Sequence, residues 1–246
     1  MARYPKQNDP GGKKVIPSVT EIISDANNIS GPIAQWAANM CVEFIKEQAH
    51  YNKESDEYTL YSDLLNYARF NFKTVSQKAL YIGSEVHGLI ENYLTYMLTH
   101  GDGWTWPDNM GVEVENAFRA FWNWSIDNDL KPISLEQTVY GDGWAGTLDF
   151  YGYFDGKLYV IDWKSSKAHY PEMRYQVAAY RWAIYNKTYE VKDLPKGCGV
   201  LRLDKETGLP HWKDTSKSYE QDLRIFNRMV CLYFERHPII RKRARG

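Results

Sequence analysis

The stretch AGTLDFYGYFDGKLYVIDWKSS, Ala145 to Ser166, decides the reading of this chain. Asp155-Gly156 separates two runs of aromatic and aliphatic residues, and glycine accepts the positive φ that a type I′ two-residue turn demands. Phe154 then faces Lys157. Facing positions in such a hairpin keep a constant sum, so Asp149 faces Asp162 and Thr147 faces Lys164. Because side chains alternate along a strand, these four project from one face, while Leu148, Phe150, Tyr159, Ile161 and Trp163 form an apolar face opposite. Directly opposed Cβ atoms lie roughly 4.5–5.5 Å apart, and like charges so placed destabilise a sheet. A positive group should therefore sit between the aspartates.

Two carboxylates at that spacing suit a hard cation such as Mg²⁺ or Mn²⁺, which takes one or two protein carboxylates and keeps several waters. The ammonium of Lys164, one pleat along, can hold a water or stabilise charge developing on a phosphate, as metal-assisted phosphodiester hydrolysis requires. The plainer account of the same residues is a solvated hairpin with a cross-strand ion pair.

The flanking sequence bears on that choice. "GTLD" (146–149), "VIDWKSS" (160–166) and "YQVAAY" (175–180), with His87 upstream in "IGSEVHGLIENYL", resemble the PD-(D/E)XK nuclease superfamily. The branch resembled contains the RecB nuclease domain, phage exonucleases and the mitochondrial genome maintenance exonuclease. The resemblance implies a restriction-endonuclease-like α/β (α+β) core, a mixed central sheet flanked by helices, with an N-terminal helical lobe. It implies Mg²⁺ or Mn²⁺ held by Asp149, Asp162, His87 and the backbone carbonyl of Trp163, with Lys164 positioning the attacking water. Gln176, Tyr180, Glu136, Glu91 and Ser165 are the supporting or substrate-positioning candidates. The products implied are a 5′-phosphate and a 3′-hydroxyl.

Read from the residues alone, several of these positions keep two accounts. Lys78 to Leu98 shows a helical stripe at Ile82, Val86, Leu89, Tyr93 and Met97, and His87 lies beside it, as a core histidine or a ligand. Glu91, one turn on, either orients the ring or is solvated. Pro171 to Tyr185 opens with proline at a first helical position, and Met173, Val177, Tyr180 and Ile184 follow at helical spacing. Gln176 and Tyr180 share one face of it, as packing residues or as site residues. Glu136 lies on a strand, Ile133 to Tyr140, whose alternation is imperfect. "GDGW" (141–144) is turn chemistry leading into the hairpin.

The 246 residues are 43% hydrophobic, enough for one sizeable core, and no linker or repeat is visible. We expect a single nuclease domain over 1–246, helical from 15 to 125 and sheet-containing from 132 to 236, with a basic tail from 237 to 246. No apolar run of membrane-spanning length and no signal peptide stands out. Three cysteines, Cys41, Cys198 and Cys231, are too few and too scattered for a disulfide framework or a four-cysteine iron–sulfur cluster. A reducing, cytoplasmic compartment is expected, that of a host if the chain is viral. A net charge of −1 argues against indiscriminate nucleic-acid binding, and the basic C-terminal "RHPIIRKRARG" reads first as a solvated tail and alternatively as a phosphate-contacting arm. Aromatic residues make up 15% of the chain, clustered in "WTW" (104–106) and "FWNW" (121–124); most are expected in the core, and any exposed rings could stack on unpaired bases.

The expectation is a metal-dependent exonuclease acting on single-stranded DNA or DNA ends, in recombination, repair or phage DNA processing. A structure-specific or restriction-type endonuclease, or a non-catalytic DNA-binding module keeping the fold, are the alternatives. Protein partners are not specified by the sequence.

Overall fold

Asp155 and Gly156 both take positive φ, 47° and 70°, as a type I′ turn requires. The computed structural model describes residues 3–5, 15–27, 30–48, 50–52, 57–59, 64–101, 103–187 and 194–238. Its elements begin with strands β1 (Arg3–Pro5) and β2 (Val15–Pro17), helices α1 (Val19–Asn27) and α2 (Ser30–Gln48), and strands β3 (His50–Asn52) and β4 (Glu57–Thr59). Helices α3 (Leu64–His100) and α4 (Val112–Asp127) follow, then strands β5 (Lys131–Tyr140), β6 (Ala145–Phe154) and β7 (Lys157–Lys164). The chain continues through α5 (Pro171–Lys187), β8 (Gly197–Leu203), β9 (Pro210–Asp214) and α6 (Tyr219–Arg236).

Strands β5 to β9 form one sheet in sequence order. Every neighbouring pair is antiparallel except β7–β8, which is parallel and joined through α5. The result is the expected mixed sheet flanked by helices. β8 is buried at all of its positions, as befits a strand covered on both faces. On one side, Phe121 and Trp124 of α4 pack edge-on against Trp163 at 5.1 and 6.3 Å between ring centroids, and Trp124 stacks on Phe154 at 5.1 Å. Such pairs add about 0.5–1.5 kcal/mol each beyond their buried area. A second cluster joins Val160, Cys198 and Val200 of the sheet to Val177, Ala183 and Ile184 of α5, Val19 and Ile22 of α1, and Phe226 and Tyr233 of α6.

The chain divides into two compact units, one comprising Met1–Asn27 with Gly83–Gly246 and the other Asn28–Ile82. The second is held internally by an edge-on contact of Trp36 with Phe72 and a hydrogen bond from Asn71 to the Met40 carbonyl. Ser18 caps α1, its hydroxyl accepting the Glu21 amide at 3.0 Å, the arrangement that satisfies a free N-terminal donor.

Two expectations need correction. Leu148 does not share a face with Phe150: it belongs to the cluster with Val160 and Val177, whereas Phe150 meets Trp163. The alternation breaks at Asp149, opposite Glu136, whose φ of 45° is left-handed. Residues 15 to 125 are not wholly helical either, since Val15–Pro17 pairs with Arg3–Pro5 and His50–Asn52 with Glu57–Thr59. Of the basic tail, positions 239–246 lie outside the described residues. No described helix is long and apolar enough to cross a membrane.

Candidate metal centre

The turn fixes the register of β6 and β7 from Phe154↔Lys157 as far as Phe150↔Ile161. The next facing pair would be Asp149 and Asp162, and there the backbone ladder gives way: Asp149 Oδ2 accepts the Trp163 amide at 2.7 Å. On the other side of β6, pairing with β5 holds at Leu135↔Phe150 and Gln137↔Leu148. Glu136 therefore lies across from Asp149. One carboxylate is thus flanked by two more, one from each neighbouring strand.

Helix α3 supplies the fourth group. Val86, Ile90, Tyr93 and Leu94 are its buried stripe, and His87, next to that stripe, reaches the end of β7, where its Nε2 lies 3.2 Å from the Trp163 carbonyl oxygen. A carbonyl only accepts, so Nε2 carries the proton and Nδ1 is turned to the acids. Nδ1 is 3.7 Å from Asp149 Oδ1 and 3.9 Å from Glu136 Oε1. His87, Glu136 and Asp149 each offer a ligand atom within 4.8 Å of one another. Lys164 Nζ sits 2.6 Å from Asp162 Oδ2.

The electrostatics follow from burial. Asp162 is fully buried, and desolvation pushes its carboxyl up to about 6 even though the Lys164 ammonium pulls the other way. Desolvation likewise raises Asp149, against the pull of His87 and Lys164. Burial alone would lower His87, but Asp149 and Glu136 outweigh it and lift the imidazole to about 9. Lys164 loses to desolvation and gains more from Asp162 and Asp149, ending above the ordinary lysine value. Among the described residues, Asp162 Oδ1 is buried without a hydrogen-bond partner. A buried acceptor left that way costs about 1–3 kcal/mol, more when charged.

These groups fit a divalent cation. With His87 neutral, three carboxylates and one ammonium leave two net negative charges, and oxygen donors with one imidazole suit Mg²⁺ or Mn²⁺. Among the described residues, the donors brought within reach of one another are His87, Glu136 and Asp149; Asp162, expected as a ligand, is not among them and is paired with Lys164. The His87 ring is oriented by a backbone acceptor, as ligating histidines commonly are. No family model matches this chain, and no match emerges among curated proteins. The site therefore has to be read from its own geometry.

The other expected residues fall into two groups. Gln176 donates to the Tyr180 hydroxyl at 3.0 Å, and Tyr180 is buried with its phenol raised well above the usual value by desolvation and by the charge of Asp162. The Tyr180 ring also explains the glycine of "GTLD": a Cβ at Gly146 would lie 2.5 Å from a ring carbon. Ser165 is half-buried beside Gly83 of α3. Glu91 is exposed, and no described interaction joins it to His87. Phe121 and Trp124 are core residues, and Trp104, Trp106 and Trp122 pack among Tyr93, Tyr96 and Phe118. Glu136 was named as a supporting candidate by the resemblance, while from the residues alone its strand showed only imperfect alternation. Tyr4, whose hydroxyl meets Thr147 Oγ1 at 2.9 Å, carried no sequence signal at all.

Proposed function

We propose that this protein is a metal-dependent deoxyribonuclease of the PD-(D/E)XK type, hydrolysing phosphodiester bonds in single-stranded DNA or at DNA ends. The observation that carries the reading is the cluster of His87, Glu136 and Asp149, each offering a ligand atom within 4.8 Å of the others, next to a fully buried Asp162 whose Oδ2 lies 2.6 Å from the Lys164 ammonium. A structural ion pair needs none of those neighbours. Asp149, Glu136 and His87 are the residues that would hold Mg²⁺ or Mn²⁺, with Asp162 and the Trp163 carbonyl beside them. The cation, when bound, supplies Lewis acidity toward the phosphoryl oxygen and makes water a better nucleophile at neutral pH.

The chain's own residues supply the rest. Lys164, kept protonated by Asp162, donates to the attacking water and to the charge that grows on the phosphate in the transition state. The Trp163 carbonyl holds the His87 proton on Nε2 and so leaves Nδ1 as a donor atom. The Tyr180 phenol, held by Gln176 and buried over Gly146, stays neutral and adds no charge. Water oxygen bonds to phosphorus as the bond to the 3′ oxygen breaks, leaving a 5′-phosphate and a 3′-hydroxyl. Three free cysteines, Cys41, Cys198 and Cys231, are consistent with a reducing compartment.

The test is hydrolysis of linear and circular single-stranded DNA with Mn²⁺, with the Asp162→Asn variant as control. Release of nucleotides from the linear substrate alone supports the exonuclease, and cutting of the circle assigns an endonuclease. No cleavage of either by the wild-type protein, with or without Mn²⁺, sinks the proposal.

A further inference from the structure

Strands β7 and β8 run parallel with Lys164 beside Arg202, and the segments leaving their carboxyl ends part around a cavity of about 130 Å³. Ser165, Ser166 and Lys167 line it from the β7 side, and Arg202, Asp204, Lys205 and Glu206 from the β8 side. Crevices outside the carboxyl ends of strands are where open α/β sheets take ligands. None of the groups assigned to the metal centre borders this one. It follows the metal centre directly in sequence, through Lys164-Ser165.

Arg202 is what makes it more than a surface dent. Its side chain is 10% exposed and rises from a strand buried throughout. Among the described residues only Nη1 is engaged, with the Ser166 carbonyl at 3.4 Å and Asp204 Oδ2 at 3.2 Å. A guanidinium carries five N–H groups in a rigid fork, so the contacts on one nitrogen fix its pose and leave donors for an oxyanion. Asp204 is also tied into its own loop: its Oδ1 accepts the amides of Glu206 and Thr207, both at 3.0 Å, and its Oδ2, besides meeting Arg202, lies 3.7 Å from His211. Glu206 is exposed. Lys167, Arg202 and Lys205 thus outnumber the acids, and one of the two acids is tied into the loop.

We propose that this cavity is a phosphate subsite, receiving a DNA phosphate next to the one hydrolysed at the metal centre. Its volume is well below the roughly 300–1,000 Å³ of pockets that enclose whole small molecules, and it suits one small oxyanion. The proposal rests on the nuclease reading and sharpens it: a phosphate anchored here sets the register of the strand against Lys164. A terminal phosphate and an internal phosphodiester present the same oxygens to Arg202.

The test uses the full chain, the double variant Lys167→Ala/Lys205→Ala, and Arg202→Lys, which keeps the charge and loses the fork. In EDTA, millimolar inorganic phosphate, against chloride at equal ionic strength, should raise the melting temperature of the wild type and of Lys164→Ala. The shift should vanish in the double variant and shrink in Arg202→Lys. Equal shifts in wild type and double variant overturn the subsite. Anisotropy with oligonucleotides bearing a 5′-phosphate, a 3′-phosphate or neither should show about tenfold weaker binding by the double variant. A loss confined to one phosphorylated end assigns a terminal phosphate, an equal loss for all three assigns an internal one, and no loss for any overturns the proposal. A wild-type protein that cuts no DNA with Mn²⁺ but keeps the lysine-dependent phosphate shift sinks the nuclease reading and retains an oxyanion site.

Discussion

The two ends of the β6–β7 hairpin are built from the same two strands and held by different forces. At the turn, the ladder is regular through Phe154↔Lys157, and Phe154 lies among Trp124, Tyr159 and Trp212 at 5.0–5.1 Å between centroids. Apolar burial there is insensitive to pH and to solutes that bind ions. At the open end the recorded pairing stops, and Asp149, Asp162, Lys164 and His87 hold one another instead. Removing charges from water costs several kcal/mol per ion, and their attraction repays this only when the geometry is complete. One end is stable by composition, the other only in the right charge state.

The largest effect that separates them is on turnover. Lys164→Ala removes the ammonium and no metal ligand, so cleavage should fall by about 10² or more, roughly 3 kcal/mol of transition-state stabilisation, while Mn²⁺ affinity by calorimetry persists. A variant that cuts at the wild-type rate would mean that the open end is merely structural.

The next effect is on pH dependence. The His87 imidazole is raised from 6.5 to about 9, so the folded protein binds the extra proton between those values. Its stabilising contribution is complete below pH 6.5 and is lost as pH rises through 9, and melting in EDTA should fall across that window. A cation must displace the same proton, so Mn²⁺ affinity should rise about tenfold per pH unit up to pH 9. A flat affinity profile would remove His87 from the ligand set.

A smaller loss is expected for His87→Gln, about tenfold in Mn²⁺ affinity, with activity partly recovered at high Mn²⁺. Equal affinities in the two proteins would return His87 to a packing role. The smallest change belongs to the turn: Gly156 has φ of 70°, and Gly156→Ala should cost about 1 kcal/mol by denaturant unfolding, with Mn²⁺ affinity unchanged. A change in affinity from that substitution would show that the two ends are coupled.

What the sequence disclosed follows the same division. The turn, the α5 helix with its proline at the first position and the amphipathic stretch of α3 are written in local chemistry. The turn and α5 form within a few residues of the boundaries read for them, whereas the stretch read from Lys78 to Leu98 is only the later part of a helix that begins at Leu64. β9, PHWKD, was missed because it opens with proline and lacks alternation. Its strand state comes from pairing with β8, Leu201↔Trp212 and Val200↔Lys213. The approach of His87 to the end of β7 is also non-local, 76 residues away in sequence, and the motif resemblance pointed to it where periodicity alone could not. Glu136 shows the opposite case, since its left-handed backbone spoils the very pattern by which a strand is recognised.

The bond from the Trp163 amide to Asp149 has a consequence for how this protein should be disabled. A carboxylate there stands in for a main-chain carbonyl, so one side chain serves as a rung between two strands and, in the proposed function, would also be a ligand for the cation. Alanine at position 149 would delete both roles, and an inactive product would say nothing about chemistry. Asp149→Asn keeps an oxygen able to take the Trp163 amide and discards only the charge, which makes it the cleaner knockout for genetic complementation or for trapping an uncut oligonucleotide in a crystal.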